Sequence, residues 1–254
     1  MIDADLRAAL ERAAAAPTLL VASDYDGTLA ELVDDPARAF PLPSAIDAMR
    51  GLAHLPGTEV AIVSGRSLRD LITLSGLTDE AHLVGSHGSE FEPGVITGVD
   101  GDDFDVLEHV TALVREIAQT VPRARVETKP ASVAFHTREV DPLLVADLVA
   151  SVLTGPGSVP GVSVKHGKDV VELTITDAHK GTALRHLRKT LGADVVMFVG
   201  DDLTDEDAFT SLGPADVAVK VGVGPTMANH RVDDVAEVAT LFTLLELLRT
   251  AHTV

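Results

Sequence analysis

The chain has 254 residues, of which 46% are hydrophobic and 23% charged, and its formal net charge at pH 7 is −19. This composition is typical of a folded globular protein, and the excess of acids argues against nucleic-acid or anionic-membrane partners, because phosphate groups attract lysine and arginine. The absence of cysteine excludes disulfides and thiolate metal sites and favours a cytoplasmic location. Residues 1–12 lack a basic cluster, and no run reaches the roughly 18 apolar residues of a membrane span, so neither a signal peptide nor a membrane segment is expected.

The first hundred or so residues predict strands that alternate with helices. Strands are predicted over residues 19–22, 59–63 and 82–84, and helices over residues 5–16, 44–54 and 67–74. Ser44 is the predicted N-cap of the second helix. Because each strand ends in small or polar residues, the pattern indicates a doubly wound, mostly parallel α/β sheet.

The rhythm changes between residues 102 and 177. Helices are predicted over residues 104–120 and 141–153, and strands over residues 125–129, 132–138, 162–166 and 170–175. This αββαββ order is that of a small antiparallel sheet with helices on one face. The α/β rhythm resumes with helices over residues 180–191 and 235–248 and strands over residues 194–199 and 217–221. We therefore predict a core made of residues 1–101 and 178–254, with an inserted cap domain over residues 102–177.

Acids and other polar groups follow several of the predicted core strands. In open α/β sheets, ligands bind at the carboxyl ends of the strands, so these groups are expected to share one edge. They are Asp24, Asp26, Ser64, Lys180, Asp201, Asp202 and Asp205. Carboxylates this close repel one another unless a cation or a shared proton intervenes. A cluster of carboxylates without thiolates favours a hard cation, and Mg²⁺ is the expected one.

Strand alternation predicts a polar face on the cap sheet. Its members are Glu127, Lys129, His136, Arg138 and Glu172. A mixture of acids, cations and an imidazole suits a ligand rich in hydroxyl groups, which needs both donors and acceptors. An ordinary solvated sheet face is the alternative, because antiparallel sheets commonly have one wet side.

Four stretches of the core, taken in order, resemble the motifs of the haloacid dehalogenase superfamily of phosphatases. They are Asp24-Tyr25-Asp26-Gly27-Thr28-Leu29, Ser64-Gly65-Arg66, Lys180-Gly181 and Gly200-Asp201-Asp202-Leu203-Thr204-Asp205-Glu206. The last stretch, the segment over residues 85–90 and the cap's polar residues are similar to the trehalose-6-phosphate phosphatase family. The resemblance covers residues 18–245 and implies a Rossmann-like core with an inserted cap.

The resemblance also implies an activity, the Mg²⁺-dependent hydrolysis of trehalose 6-phosphate through an aspartyl-phosphate. Asp24 would be the nucleophile, and Asp26 would act first as the general acid and then as the general base. Ser64 and Lys180 would hold phosphate oxygens. The metal residues implied are Asp24, the main-chain carbonyl of Asp26, and Asp201, with Asp202 and Asp205 nearby orienting Lys180 or metal-bound water.

Substrate-binding residues are implied in both domains. In the core they are Thr28, which would also orient Asp26, and Gly65, Arg66, His87, Gly88 and Glu90; in the cap they are Glu127, Lys129, His136, Arg138, Lys168 and Glu172. The expected partner is a small sugar phosphate, and the expected assembly is a monomer. Two positions depart from the family pattern: His179 stands where the family commonly has asparagine, and Thr137 stands where it has an aromatic residue.

Other functions fit parts of the pattern. A phosphatase of the same superfamily acting on sucrose 6-phosphate or mannosyl-3-phosphoglycerate would use the same core motifs. A phosphorelay receiver also groups acids, a hydroxyl and a lysine at one sheet edge, but receivers have about half this length and no inserted cap. An acidic metal-binding or interaction protein would not need the ordered series of Ser64, Lys180 and Asp201.

Overall fold

The computed structural model describes residues 2–77, 79–92, 95–96, 99–167 and 169–253. The chain forms two compact units: the core unit, Met1–Pro93 with Ala178–Val254, and the cap unit, Gly94–Asp177. The sequence places the start of the cap at residue 102. Within these ranges, no helix combines the length and the apolar character needed to cross a membrane.

Twelve strands and eight α-helices are present in the described ranges. The strands are β1 Leu19–Ser23, β2 Thr58–Val63, β3 His82–Val84, β4 Glu90–Glu92, β5 Val95–Ile96, β6 Arg125–Lys129, β7 Ser132–His136, β8 Ser163–Gly167, β9 Val170–Thr174, β10 Val195–Gly200, β11 Val217–Val221 and β12 His230–Val232. The helices are α1 Ala4–Ala14, α2 Pro43–Ala53, α3 Leu68–Ser75, α4 Gly101–Gln119, α5 Pro142–Thr154, α6 Lys180–Leu191, α7 Asp205–Ser211 and α8 Val235–Thr253.

The core unit is built on a six-stranded parallel sheet. Its order is β12-β11-β10-β1-β2-β3, and every neighbouring pair is parallel. The order reverses at β1, which has β2 on one side and β10 on the other. Such a reversal leaves a crevice at the carboxyl ends of the strands, where ligands bind. The doubly wound sheet predicted from the sequence is confirmed.

Both faces of the parallel sheet are covered, which explains why its strands are continuously apolar. Alternate side chains of β1 point to opposite faces. Leu19 and Val21 pack in the layer formed with α1, α2 and α8. Leu20 and Ala22 pack in the layer formed with α6 and α7. The central strand is thereby fixed from both sides, and so is the point at which it ends.

The cap unit is an antiparallel sheet in the order β6-β7-β9-β8. Phe135 and Leu173 belong to its apolar face, which packs with residues of α4 and α5. On the other face, Ala134 lies opposite Glu127 in one neighbouring strand and opposite Glu172 in the other. The αββαββ layer and its polar face agree with the sequence prediction.

Three details of the sequence prediction are wrong. Strand β7 ends at His136 rather than at residue 138, because the N–H of Val140 donates to the carbonyl of Thr137 and closes a turn. Arg138 therefore lies in an exposed turn. Helix α2 begins at Pro43, which suits the first helical position, so Leu42 rather than Ser44 is its N-cap. The sequence patterns also missed four short elements, which are β4, β5, α7 and β12.

Arg249 ties the amino-terminal edge of the parallel sheet together. Its side chain reaches from α8, and the residue is only 3% exposed. The guanidinium donates to Thr58 Oγ1 and to main-chain carbonyl oxygens at the end of α1 and in the two loops that lead into β1 and β2. Those carbonyls belong to Ala14, Ala16, Pro17, Pro56 and Gly57.

We expect Arg249→Met to lower the free energy of unfolding by roughly 3 kcal/mol, because several buried carbonyls would lose their donor. Urea unfolding measures this change. The control is Arg7→Met, which removes the same charge from an exposed pair with Glu11 and should cost about 0.5 kcal/mol or less. Equal losses in the two variants would contradict the role assigned to Arg249.

Candidate active site

Three carboxylates meet at the carboxyl edge of the parallel sheet. Asp24 directly follows β1, Asp201 follows β10, and Asp205 begins α7. The N–H of Asp24 donates to the carbonyl of Val199 at 2.8 Å, which joins the ends of the two strands. One carboxylate oxygen from each acid lies within 4.8 Å of the others. The predicted acids thus come together where the sheet order reverses.

Lys180 supplies positive charge to this cluster. It is the first residue of α6 and is 2% exposed. Its Nζ lies 2.9 Å from Asp24 Oδ1 and 2.7 Å from Asp205 Oδ1. Burial by itself lowers the pKa of Lys180, but the Asp205 and Asp24 carboxylates outweigh it, and the pKa is raised. The ammonium therefore stays charged between the two acids.

Asp205 and Asp202 organise the loop between β10 and α7. Asp205 Oδ2 accepts hydrogen bonds from the N–H groups of Asp201 and Asp202 at 2.8 and 2.9 Å, while Oδ1 pairs with Lys180. Asp202 Oδ1 accepts from the N–H and hydroxyl of Thr204 and from the N–H of Asp205. Although Asp205 is close enough to share a cation, both of its oxygens are already engaged. These contacts fit an orienting role for both acids.

Asp201 is the acid whose carboxylate is left available. Its Oδ1 is buried and accepts no hydrogen bond from any residue that the structure describes. Burial, with the charges of Asp205 and Asp202, raises the pKa of Asp201 to about 7. Burial likewise raises the pKa of Asp24, against the effect of Lys180. A cation would satisfy the open oxygen and offset this repulsion, and a donor set made only of oxygens fits a hard ion such as Mg²⁺.

Gly27 makes room for the Asp201 carboxylate. Its φ of +77° lies in the left-handed region, which glycine adopts without strain. A Cβ at this position would lie 2.2 Å from Asp201 Oδ2. Any larger residue would therefore displace the acid as well as strain the turn.

Arg66 holds Asp26. Its Nε and Nη2 donate to the two carboxylate oxygens of Asp26, each at 2.6 Å. The guanidinium also donates to the carbonyl of Pro36 at 2.9 Å and lies over the Tyr25 ring, 5.3 Å from its centre. Burial by itself lowers the pKa of Arg66, but the hydrogen bonds with Asp26 and its negative charge outweigh burial, and the pKa of Arg66 is raised. The sequence resemblance assigns Arg66 to the substrate; in the structure its guanidinium contacts Asp26.

The turns after β2 and β3 interlock. The N–H of Ser86 donates to the carbonyl of Arg66 at 2.7 Å, and the N–H of His87 donates to that of Ser64 at 2.9 Å. Ser86 and His87 both have positive φ, at 50° and 56°, which costs free energy in residues with side chains. A Cβ on Gly65 would lie 2.4 Å from the His87 ring, so glycine at 65 allows the ring to approach the Ser64 turn.

Glu90 stabilises the turn that follows β3. It is 2% exposed, and its Oε2 accepts from the N–H of Leu68 at 2.8 Å and from the Ser86 hydroxyl at 3.1 Å. Glu90 therefore joins the start of α3 to the strained turn. Gly88 approaches the α6 segment so closely that a Cβ would lie 2.7 Å from the carbonyl oxygen of His179.

Thr28 and Lys220 complete the edge of the sheet. Thr28 is fully buried, and its hydroxyl has no hydrogen-bond partner within the described ranges. Lys220, near the end of β11, donates from Nζ to the main-chain oxygen of Asp201. The sequence analysis did not name Lys220 as a site residue. Its position near the carboxyl end of a predicted strand was the signal that could have placed it at this edge.

The polar face of the cap sheet carries paired charges. Lys129 Nζ lies 3.3 Å from Glu172, and His136 Nε2 lies 2.8 Å from Glu127. The hydrogen bond with His136 is the main cause that lowers the pKa of Glu127. Lys165 pairs with Glu172 in the register of β8 and β9 and shares this face, although the sequence analysis did not name it. Lys168 lies outside the described residues.

A family model described as Trehalose-phosphatase matches residues 22–240 of the chain. The trehalose-phosphate phosphatase of Mycobacterium marinum is 36% identical over 251 residues, which cover 93% of this chain and 60% of that protein. A bifunctional trehalose-6-phosphate synthase/phosphatase of Thermoproteus tenax is 34% identical over 237 residues, which cover 91% of this chain and 32% of that protein. The chain thus spans about 60% or less of the length of these two relatives.

Solved structures with the same fold include the C-terminal domain of C. albicans trehalose-6-phosphate phosphatase. It superposes with a TM-score of 0.82 at 23% identity, covering 96% of this chain and 98% of that domain. The Aspergillus fumigatus trehalose-6-phosphate phosphatase gives a TM-score of 0.69 at 26% identity, covering 95% of this chain and 97% of that one. At 23% identity, the similarity to the C. albicans domain shows a shared fold and nothing more.

We expect millimolar Mg²⁺ to raise the unfolding midpoint by a few degrees, because a ligand that binds only the folded state stabilises it. Asp201→Asn should abolish this response. The apo variant should be at least as stable as the apo wild type at pH 8, where ionised Asp201 is repelled by its neighbours.

Differential scanning fluorimetry with and without a chelator measures both effects. Asp207→Asn is the matched control, because it removes the same charge from an exposed position of α7. A response to Mg²⁺ in Asp201→Asn as large as that of the control would contradict the cation site.

Proposed function

Because the chain belongs to the trehalose-phosphatase family, we propose that it hydrolyses trehalose 6-phosphate to trehalose and inorganic phosphate. The observation that carries the proposal is the grouping of Asp24, Lys180 and Asp201 at the carboxyl edge of the parallel sheet. A carboxylate at a strand end, next to a fixed ammonium, is arranged to receive a phosphoryl group.

In the first step, a carboxylate oxygen of Asp24 attacks phosphorus and the bond from phosphorus to the sugar oxygen breaks. The electron pair stays on the sugar oxygen, which takes a proton from Asp26 and leaves as a hydroxyl group. The products are trehalose and an aspartyl-phosphate on Asp24. Lys180, 2.9 Å from Asp24, would face the negative charge of the transferring phosphoryl group, and Ser64 would bind a phosphate oxygen.

In the second step, water attacks the aspartyl-phosphate and Asp26 takes its proton. The bond from phosphorus to Asp24 breaks, and the carboxylate and inorganic phosphate are released. The two hydrogen bonds from Arg66 hold the carboxylate of Asp26 in one position, two residues after the nucleophile. Proton transfer depends on such positioning.

The expected cation is Mg²⁺, held by Asp24, Asp201 and the main-chain carbonyl of Asp26. When bound, it offsets the charges of the carboxylates and of the phosphate group. Asp202 and Asp205 would keep the loop and Lys180 in place through the contacts described above. The open Oδ1 of Asp201 supports this arrangement. The absence of cysteine supports a cytoplasmic location.

The polar face of the cap sheet is the proposed sugar-binding surface. Glu127, Lys129, His136 and Glu172 offer acceptors and donors in paired positions, as a disaccharide rich in hydroxyl groups requires. Lys165 shares this face. Arg138 and Lys168 remain predictions from the sequence resemblance.

A panel of sugar phosphates tests the proposed activity. Trehalose 6-phosphate should release phosphate with a kcat/KM at least tenfold above that of glucose 6-phosphate or sucrose 6-phosphate, and a chelator should stop the reaction. Equal turnover of trehalose 6-phosphate and glucose 6-phosphate would contradict the proposed substrate.

Asp24→Asn tests the proposed nucleophile. It should lower kcat by roughly a thousandfold or more, because the amide cannot form the acyl phosphate. Its unfolding midpoint shows whether the fold is intact. Near wild-type turnover by this variant would contradict the role of Asp24 as the nucleophile.

Glu127→Ala tests the sugar-binding surface separately from the chemistry. We expect kcat/KM for trehalose 6-phosphate to fall roughly tenfold or more, because a charged hydrogen-bond partner of the sugar is lost. An aryl phosphate lacks those hydroxyls, so its turnover should change by less than about twofold. Glu116→Ala, an exposed acid on α4, is the control and should affect neither substrate. Equal losses on both substrates would argue against sugar recognition by Glu127.

A further inference from the structure

Lys220 is a buried cation at the edge of the active site. It lies in β11, one residue before the strand ends, and is 5% exposed. Its Nζ donates to the main-chain oxygen of Asp201, and none of the described residues offers it a carboxylate at ion-pair distance. Burying an ammonium against a single carbonyl partner is costly, so its position calls for a reason.

The contacts of Asp201 supply that reason. Its N–H donates to Asp205 Oδ2 at 2.8 Å, and its carbonyl accepts from Lys220, so both main-chain polar groups are fixed. Its carboxylate lies against the backbone of Gly27, where a Cβ would come within 2.2 Å of Oδ2 and 2.6 Å of Oδ1. Oδ1 is buried without a hydrogen-bond partner among the described residues. These contacts hold Asp201 in one position with Oδ1 unpartnered.

Two effects of Lys220 on a bound cation have opposite signs. Its positive charge by itself would repel the cation and weaken binding. Its hydrogen bond would strengthen binding, because ligand residues held by surrounding groups lose less freedom when the ion binds. We propose that the second effect dominates and that Lys220 is a positioning residue, which fixes the main chain of Asp201 so that Oδ1 is presented to the cation. The inference rests on the cation site of the proposed function.

The sign of the affinity change distinguishes the two effects. Electron paramagnetic resonance of Mn²⁺ measures cation binding directly, without substrate. In Lys220→Met we expect the Mn²⁺ dissociation constant to rise roughly tenfold. Lys220→Arg, which keeps both charge and donor, should stay within about threefold of wild type if its longer side chain still reaches the carbonyl.

Arg231→Met is the matched control. Arg231 is the neighbour of Lys220 in the register of β11 and β12, and it is also a cation that donates to main-chain carbonyls, those of Gly222 and Gly224. It is exposed, and its carbonyl partners are not cation ligands. Its loss should leave the Mn²⁺ dissociation constant within about twofold of wild type.

Unchanged or tighter Mn²⁺ binding in folded Lys220→Met would overturn the proposal, since tighter binding is what loss of a repelling charge alone would give. If Lys220→Met does not fold, Lys220→Gln decides, because its side chain is uncharged and one bond shorter, so the contact with the carbonyl of Asp201 is lost together with the charge while a polar group remains. Weaker affinity than wild type supports positioning, and equal or tighter affinity overturns it. Absence of Mn²⁺ binding in the wild type would overturn the cation site itself. Intact Mn²⁺ binding without turnover of trehalose 6-phosphate would instead contradict the proposed substrate and leave the Lys220 inference standing.

Discussion

The repulsion among the carboxylates at the sheet edge is the constraint on which the rest of the core depends. Asp24, Asp201 and Asp205 are brought within a few ångströms by the parallel strands and the reversal of strand order. Lys180 compensates two of these charges and leaves Asp201 exposed to the field of its neighbours. The arrangement stores unfavourable energy that a bound cation can relieve, as is common where a fold serves a function.

Around this cluster, several charged side chains form hydrogen bonds with the main chain. Asp205 accepts from two successive N–H groups, Glu90 accepts from the first N–H of α3, and Lys220 donates to the carbonyl of Asp201. Hydrogen bonds to charged groups are stronger than neutral ones and are strongest where water is excluded. They therefore help to set the positions of these loops. Arg66 likewise fixes the carboxylate of Asp26 through two hydrogen bonds.

The two units present different kinds of surface. The core unit presents a crowded set of acids with the ammonium groups of Lys180 and Lys220, which suits the proposed phosphoryl transfer. The cap unit presents balanced pairs, Lys129 with Glu172 and His136 with Glu127, which suit neutral hydroxyl groups. A paired surface needs no counter-ion before its ligand binds, because its charges already satisfy one another.

The sequence by itself determined the parallel core sheet, the αββαββ cap, the acids at the strand ends and the polar face of the cap. These follow from periodicity and element order, which are local properties of the chain. Only the tertiary structure decided that Arg66 binds Asp26, that Glu90 binds the start of α3 and that Lys220 binds Asp201, because a long side chain selects its partner from whatever neighbouring strands and turns bring within reach. It also decided that β7 ends before Arg138, because a hydrogen bond from Val140 to Thr137 closes a turn there. Periodicity predicts which face of a helix or strand a side chain lies on, and only the packing of the folded chain determines which residues it contacts.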